Sequence, residues 1–510
     1  MLLEVVKSHV WCLYARFIIH TSHCNMALLT EASSRQSFSG WGMQETDYNM
    51  RYQALLRDEV VARLKQLGNV SDANDFLQRT FLSPAAVKAG HLIEAWMQDA
   101  GLLTWVDDIG NVHGRLEGAN VSAPALLLGS HLDTVIDAGY YDGALGILTA
   151  IAAVKVLNRE GKAHLFPRPI EIIAFSDEEG VRFQTTFLGS QAVAGTFQPH
   201  MLDVADKRGI TVGAALRSAS FEGTVESVIK LKYDPASVWG YVEVHIEQGP
   251  VLEAQGLPLG VVEAIAGQTR LMVTIRGSQG HAGTVPMNLR KDPMPAAAQS
   301  IVAIEQLCTH SEKASGGSRG TSTMSTAANS AGSIVCTVGE IHSWPGASNV
   351  IPGEVIFTVD VRTKDDSLRE HTVVSIEHSI QTICKGRGVT CTIERKHEAA
   401  AMSCGPGLSD RLQAAALTAM QELHPFQRSV SVVDEIQYDT ISAPMLVSGA
   451  GHDAMAMSHL TQVGMLFVRC TGGISHSPAE YVLDDDIWAS SLALLRFMEG
   501  VLGDLSFLNM

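Results

Sequence analysis

The stretch PALLLGSHLDTVIDAGYYDGALGILTAIAAVKVL, residues 124–157, contains an apolar run, a polar loop and a longer apolar segment in that order. A short apolar run followed by a loop and a long helical pattern is typical of a strand–helix unit. A second apolar strand that ends in a polar loop follows in RPIEIIAFSDEEG, residues 168–180. These units predict an α/β fold with a mainly parallel sheet flanked by helices.

The pattern changes near residue 266. RLMVTIRGSQGH, residues 270–281, and EVIFTVDVRTKD, residues 354–365, alternate as strands do, and a helical pattern follows in 366–383. We therefore predict a catalytic domain over 46–265 and 386–510, with a smaller α+β domain inserted at 266–385. Residues 1–45 are predicted to be an N-terminal extension or targeting segment. The Ser- and Gly-rich stretch 311–333 is predicted to be a surface loop.

Composition narrows the function classes. The 510 residues carry a formal net charge of -17, so no basic field is available to attract nucleic acid or an anionic membrane. The eight cysteines are scattered and read as ordinary thiols. The first twenty residues are apolar enough for a signal or anchor, but four polar residues interrupt them, and a disordered extension is the alternative. Because no later run reaches eighteen apolar residues, we expect no stable membrane insertion of the body of the protein.

The loop GSHLDTVIDAGYYDG, residues 129–143, concentrates polar side chains that can bind metals. In an extended chain, His131 and Asp133 point to the same side, so they can act together. Asp142 stands where the next helix begins. Taken alone, Asp133 could cap a turn and Asp142 could be a helix N-cap.

Two further clusters lie far along the chain. Glu178 and Glu179 follow the strand IEIIAF, and successive residues of an extended segment point in opposite directions, so the two carboxylates can serve different roles. The alternation in WGYVEVHIEQGP, residues 239–250, puts His245 on one strand face with Glu243, and His476 lies in a Gly-rich loop after another strand. A solvated acidic turn and lone surface histidines are the alternatives. Together these residues suit a pair of divalent ions.

Two rival motifs are set aside. GGSRG, residues 316–320, matches a serine-nucleophile pattern but lies in the Ser- and Gly-rich stretch rather than between a strand and a helix. GAGHDA, residues 449–454, matches a dinucleotide-binding pattern but occurs late in the chain and lacks an acidic partner at the expected distance.

The motifs GSHLDTVIDAGYYDG, FSDEEGVRFQTTFLGS, VEVHIEQGPVLE, GHAGTVPM and SHSPAEYV together resemble the metal-dependent amidohydrolases of the peptidase M20 family. The resemblance is to the branch that acts on carbamoyl and ureido compounds, and it implies a two-metal catalytic domain with a lid domain. It implies that Asp142 bridges the ions, with His131 and His245 on one and Glu179 and His476 on the other. Glu178 would be the general base and Asp133 would orient His131. Manganese is the expected metal, with zinc or cobalt as alternatives.

The stretch DTVIDAGYYDGALGI is most similar to members of this branch that hydrolyse allantoate, so the implied reaction removes a ureido group from that compound. The alternatives are an N-carbamoyl-L-amino acid or ureidoglycolate amidohydrolase, and an inactive binding protein of the same fold. The resemblance also implies a homodimer and a location in the endoplasmic reticulum, with the cytoplasm as the alternative.

Substrate binding is assigned partly from the residues and partly from the resemblance. Arg362 shares a strand face with Asp360, and its planar guanidinium suits a carboxylate, although a surface ion pair is the alternative. The resemblance adds His281, which would also stabilise the oxyanion across the dimer. It also adds four further candidates: Gln248, Asn349, Gly449 and His452.

Overall fold

The computed structural model describes residues 52–315, 334–427 and 442–504. The predictions for 1–45 therefore lie outside the described residues, as does most of the predicted loop 311–333. Its first five residues, SEKAS, instead continue a helix, since Glu, Lys and Ala favour helical structure.

Nine strands among the described residues form the larger sheet. They are β1 (Leu103–Val106), β2 (Val112–Leu116), β3 (Ala125–His131), β4 (Ile170–Phe175), β5 (Val238–Ile246), β6 (Leu259–Ile265), β14 (Met402–Ser403), β15 (Met445–Ser448) and β16 (Val463–Val468). Seven strands form the two smaller sheets: β7 (Gly267–Arg276), β8 (Gly280–His281), β9 (Val335–Thr337), β10 (Ile341–Trp344), β11 (Val350–Ile351), β12 (Glu354–Thr363) and β13 (Thr390–Ala399).

The larger sheet has the order β1-β2-β4-β3-β5-β16-β6-β14, and β15 also pairs with β6. Its four central strands, β4, β3, β5 and β16, are mutually parallel. The neighbouring pairs at both ends of this group, β2–β4 and β16–β6, are antiparallel. The predicted α/β class is confirmed, and the sheet is mixed with a parallel centre.

Twelve α-helices are described. They are α1 (Glu59–Gly68), α2 (Pro84–Asp99), α3 (Ala144–Arg159), α4 (Leu188–Ala194), α5 (Val212–Ser218), α6 (Val225–Ile229), α7 (Val251–Gln255), α8 (Pro293–Ser315), α9 (Asp366–Arg387), α10 (Pro406–Gln427), α11 (Asp453–Met457) and α12 (Asp484–Gly503). None of them combines the length and apolarity that crossing a membrane requires.

Helices cover both faces of the larger sheet. One core joins α1, α3, α10 and α12 to the sheet face that carries Val242 and Val244, and a second core joins α4 and α11 to the face that carries Tyr241. Because both faces are covered, every residue of β3 and β4 is buried. The predicted alternation along β5 is therefore present, but its polar residues point into the protein, not into solvent.

The five-stranded sheet has the order β10-β12-β7-β13, with β9 beside β12. Its core packs against α8 and α9. The predicted domain boundary at residue 385 falls within α9, and β13, at 390–399, still belongs to this sheet. The mostly polar sequence of β13 gives little apolar alternation, which is why the sequence placed the end of this unit too early.

The cysteines correct another prediction. Cys308 forms a disulfide with Cys336, and Cys384 forms one with Cys391. All four cysteines lie in the five-stranded sheet or in the helices α8 and α9 that pack on it. Each pair has its Cα atoms 6.2 Å apart. Of the described cysteines, Cys404 and Cys470 are free and buried. Spacing alone could not reveal these pairs, because folding brings the partners together.

Removal of the two disulfides is expected to destabilise the protein unequally. The chain-entropy model gives about 3.6 kcal/mol for the 28-residue separation of Cys308 and Cys336, and about 2.4 kcal/mol for the 7-residue separation of Cys384 and Cys391. Chemical denaturation of Cys308→Ser/Cys336→Ser and Cys384→Ser/Cys391→Ser measures both losses. Equal stability of both double variants and the wild type would contradict the pairing.

A buried ionic network ties β2 to β4. The Nε2 and Nδ1 atoms of His113 each lie 3.0 Å from a carboxylate oxygen, of Asp107 and Glu171 respectively. Trp105 stacks on the imidazole with ring centres 4.8 Å apart. Burial alone would lower the pKa of His113, but the two carboxylates outweigh it and raise that pKa to about 9.

This network predicts a pH-dependent stability. The pKa of His113 is about 9 in the folded protein and 6.5 without its partners, so its contribution is fully present below pH 6.5 and is lost as pH rises through 9. The loss is on the order of 3 kcal/mol. Urea unfolding at pH 6 to 9.5 measures it, and His113→Gln should remove this part of the pH dependence. Identical slopes in both proteins would refute the assignment.

Candidate metal centre and substrate cleft

The predicted metal ligands meet at one edge of the larger sheet. His131 ends β3, His245 lies near the end of β5, Glu178 and Glu179 follow β4, and His476 follows β16. These four strands are parallel neighbours, so their carboxyl ends share an edge. Ligands of open α/β sheets bind at this edge.

Asp142 lies at the centre of the cluster. Its Oδ1 atom is 3.1 Å from Nε2 of His245 and 3.5 Å from Nε2 of His131. Its Oδ2 atom is 3.2 Å from Nε2 of His476, which in turn lies 3.3 Å from Oε1 of Glu179. One carboxylate therefore faces two separate groups of ligands, as a bridging ligand must.

Hydrogen bonds fix which imidazole nitrogens are free. Nδ1 of His131 donates to the carbonyl of Asp133 at 3.0 Å, and Nδ1 of His245 donates to the carbonyl of Ile246 at 2.9 Å. A carbonyl can only accept, so in the neutral rings both Nε2 atoms carry lone pairs. These Nε2 atoms lie 3.5 Å apart and face Oδ1 of Asp142, which accepts no hydrogen bond from the described residues. A cation between them would satisfy all three atoms, so the residues fit a metal ion.

The electrostatics also favour cations. Hydrogen bonds to Asp142 and Glu179 raise the pKa of His476 to about 10. Burial opposes ionisation of Asp142, but the three imidazoles outweigh it and hold its pKa well below its usual range. The carboxylates of Asp142 and Glu179 that raise the pKa of His476 would likewise stabilise divalent ions at the same position.

Glu178 is held beside the cluster by the main chain. The carboxylate of Asp133 accepts the N–H groups of Glu178 at 3.0 Å and Glu179 at 3.1 Å. Burial raises the pKa of Glu178 well above its usual range, although the nearby His131 opposes the shift. His131 donates to the main-chain carbonyl of Asp133, whereas the carboxylate of Asp133 positions the two glutamates, and an orienting role of Asp133 in metal binding stays a prediction.

The turn after Asp142 requires glycine. Gly143 has φ of 65°, and a Cβ atom there would lie 2.4 Å from the carbonyl oxygen of His131 and 2.5 Å from its imidazole. A larger residue would push Asp142 away from the histidines. The close approach of residue 143 to His131 thus explains why glycine follows Asp142 in the loop.

Ser475 and Glu480 were missed by the sequence analysis. The buried Oε1 atom of Glu480 accepts the N–H groups of Tyr141 and Asp142 at 2.9 and 3.1 Å. Ser475 Oγ lies 3.1 Å from Oδ2 of Asp142 and 2.9 Å from Oε2 of Glu480. Only the fold reveals these contacts, because more than 330 residues separate the partners.

A cleft of about 970 Å³ lies between the larger sheet and the five-stranded sheet, and Gln248, Arg362 and Gly449 line it. Gln248 reaches the metal cluster by donating to Oδ2 of Asp142 at 2.9 Å. Arg362 donates twice to Asp360 and once, at 2.6 Å, to the carbonyl of Gly449. The guanidinium of Arg362 and the main chain of Gly449, both candidates for binding substrate, therefore lie together in this cleft.

The remaining substrate candidates lie elsewhere. His281 pairs with Val350 in the two-stranded sheet, next to Asn349. Among the described contacts, neither His281 nor Asn349 forms a hydrogen bond or ion pair with the predicted metal ligands. His452 is buried, packs edge-on against His245 at 4.3 Å between ring centres, and has Nε2 2.7 Å from Ser448 Oγ. It therefore lies behind His245 and does not line the cleft.

The comparisons with known proteins agree with this geometry. Residues 127–500 match the model of the peptidase family M20/M25/M40. The chain belongs to this family. It is 55% identical over 488 residues to Allantoate deiminase 2 of Glycine max, covering 95% of this chain and 98% of that protein.

The chain is also similar, at lower identity, to two other amidohydrolases. The chain is 37% identical to N-carbamoyl-L-amino acid amidohydrolase of Geobacillus stearothermophilus, over 83% of this chain and 93% of that protein. The crystal structure of a hydantoinase/carbamoylase family amidase from Burkholderia ambifaria matches with a TM-score of 0.72 at 29% identity, covering 88% and 97% of the two chains. The predicted amidohydrolase fold of this family is thus confirmed.

Proposed function

We propose that this M20 protein is a di-metal hydrolase that cleaves a ureido group of allantoate, giving ureidoglycine, ammonia and carbon dioxide. The observation that carries the proposal is the 55% identity to Allantoate deiminase 2 across 95% of the chain. Identity to the carbamoyl-amino-acid amidohydrolase is lower, at 37%. An assembled set of five candidate ligands also favours a working enzyme over an inactive binding protein.

In this proposal Asp142, His131 and His245 would hold one ion, and Asp142, Glu179 and His476 would hold the other. We propose manganese, which accepts mixed imidazole and carboxylate ligands, as do zinc and cobalt. Two divalent ions would lower the pKa of the attacking water and polarise the ureido carbonyl, which is a poor electrophile.

Glu178 takes the proton from the attacking water and returns it to the leaving nitrogen. Burial raises the pKa of Glu178 well above its usual range, which makes the carboxylate a stronger base toward the attacking water than an exposed glutamate would be. The hydrogen bond from the main-chain N–H of Glu178 to the carboxylate of Asp133 keeps Glu178 close to His131 during the proton transfer.

The cleft supports an anionic substrate. Arg270, Arg362, Lys364 and Lys396 line it, against the carboxylates of Glu247, Glu263 and Asp360. The four cationic groups nearly balance the three carboxylates of the cleft, whereas the whole chain has a net charge of -17, so cations are available there for an anionic substrate. In the proposal Arg362 binds the substrate carboxylate with a bidentate fork, and Gln248 and the main chain at Gly449 hold ureido nitrogens.

In this proposal the substrate-binding site is completed by a second subunit, so the protein must form a homodimer. His281 of the partner subunit would stabilise the oxyanion, and Asn349 of the partner subunit would contact substrate. The support is that His281 pairs with Val350, that the carbonyl of Asn349 accepts from Ala282, and that no described contact joins either residue to the predicted metal ligands. Light scattering coupled to size-exclusion chromatography measures whether the protein is a dimer.

The endoplasmic reticulum is the proposed location. The two disulfides described above suit an oxidising compartment, where such bonds persist. A fluorescent protein fused to residues 1–45 should be retained in the endoplasmic reticulum. A diffuse cytoplasmic signal from the fusion would overturn this assignment.

Ammonia release tests the reaction. Purified protein loaded with Mn²⁺ is assayed with allantoate, an N-carbamoyl-L-amino acid and ureidoglycolate, and the largest kcat/KM is expected with allantoate. Preference for either other substrate would replace the proposed one with that alternative. Metal binding without turnover of any of the three would favour the binding-protein alternative.

A further inference from the structure

Glu480 contacts two parts of the metal centre at once. One of its carboxylate oxygens accepts the main-chain N–H groups of Tyr141 and Asp142, and the other lies 2.9 Å from Ser475 Oγ. Ser475 immediately precedes His476. Glu480 therefore contacts the loop that contains Asp142 and the loop that contains His476. Asp142 and His476 are both proposed ligands of the same ion.

The local structure is built to bring Glu480 to this position. After His476, which has φ of 55°, the chain turns back through SPAE and the N–H of Glu480 donates to the carbonyl of Ser477 at 3.0 Å. On the opposite loop, a Cβ atom at Gly139 would lie 2.3 Å from Cβ of Glu480. Only glycine permits this approach, so the loop containing Asp142 and the side chain of Glu480 fit each other.

Ser475 lies between two carboxylates and has one hydroxyl proton. Its oxygen accepts a hydrogen bond from Nε2 of Gln248 at 3.1 Å, so the proton must go either to Asp142 or to Glu480. Because Oδ2 of Asp142 already accepts a hydrogen bond from Nε2 of Gln248, a Ser475 proton donated to Glu480 leaves that oxygen one lone pair for a cation. A proton donated to Asp142 weakens that oxygen as a ligand.

We propose that Glu480 is a positioning residue for the ion held by Oδ2 of Asp142, Glu179 and His476. It fixes the main chain of Asp142 and draws the Ser475 proton away from the bridging carboxylate. The proposal rests on the two-metal site of the proposed function, and it concerns metal affinity rather than contact with substrate.

Glu480→Gln is the direct test. The glutamine oxygen can still accept the two main-chain N–H groups, but its amide donates to Ser475 and sends the hydroxyl proton to Asp142. Calorimetric titration of metal-free protein with Mn²⁺, together with metal content by mass spectrometry, should show one of the two dissociation constants raised about 10- to 100-fold and the other nearly unchanged. Excess Mn²⁺ should restore kcat, because Glu480 is not among the residues that line the cleft.

Glu253→Gln is a matched control. Glu253 also accepts a main-chain N–H from the same region, that of Gly472 at 2.8 Å, but has no described contact with the proposed ligands. It should leave both dissociation constants near those of the wild type. Equal effects of the two substitutions, or an equal weakening of both ions by Glu480→Gln, would overturn the proposal. A wild-type protein that binds two ions but does not hydrolyse allantoate would refute the proposed function and leave this test intact.

Discussion

Asp142→Asn is expected to abolish metal binding and lower kcat/KM by about 10³-fold or more, because both ions lose the carboxylate that joins them. Asparagine has nearly the same size as aspartate but replaces one acceptor oxygen with a donor amide. The two oxygens of Asp142 now face three imidazoles, so the amide must turn toward ligands that offer lone pairs. Mass spectrometry of the purified variant should find less than one ion per chain, against about two in the wild type.

Asp137→Asn provides the control for this prediction. Asp137 lies in the same loop, is exposed and has φ of 59°, a conformation that asparagine tolerates. Its metal content and activity should match the wild type, since exposed substitutions of this kind change stability little. An Asp142→Asn protein that retains both ions would refute the bridging role.

Glu178→Gln is expected to keep both ions and lose turnover. The amide cannot accept the proton of the attacking water, so kcat should fall by about 10²- to 10⁴-fold with little change in KM. The main-chain hydrogen bond from residue 178 to Asp133 does not depend on the side chain, so the loop should keep its position. Steady-state kinetics and metal analysis of the same preparation measure both effects.

Glu179→Gln separates the two adjacent glutamates. Glu179 contacts His476 and is a proposed ligand, so its replacement should lower the metal content as well as the activity. If Glu178→Gln loses metal while Glu179→Gln retains it, the two roles are exchanged. Activity of Glu178→Gln close to that of the wild type would exclude Glu178 as the base.

Much of the fold could be predicted because its signals are local. The apolar run of β3 and the long apolar pattern of α3 identify a buried strand–helix unit, and the class follows from repetition of that unit. The limit of the smaller sheet was not predicted correctly because β13 is largely polar and exposed, so its pairing with β7 leaves little trace in its own sequence.

The candidate ligands could also be named in advance, since each lies at the end of a recognisable strand or in the loop that follows one and matches a motif of the M20 family. Asp133 illustrates the limit of such reasoning. The H-x-D spacing indicated that it acts on His131, but it could not distinguish its carbonyl from its carboxylate, which accepts hydrogen bonds from the loop of another strand.

The sequence by itself determined the residue types, the strand–helix units and the family, because these depend on order and spacing along the chain. Only the tertiary structure decided which lone pairs converge on Asp142, that Glu480 supports that residue, and that Cys308 and Cys336 are joined. These features depend on distances between residues far apart in the chain. Such distances are set by the packing of strands, loops and helices against one another, which no local pattern encodes.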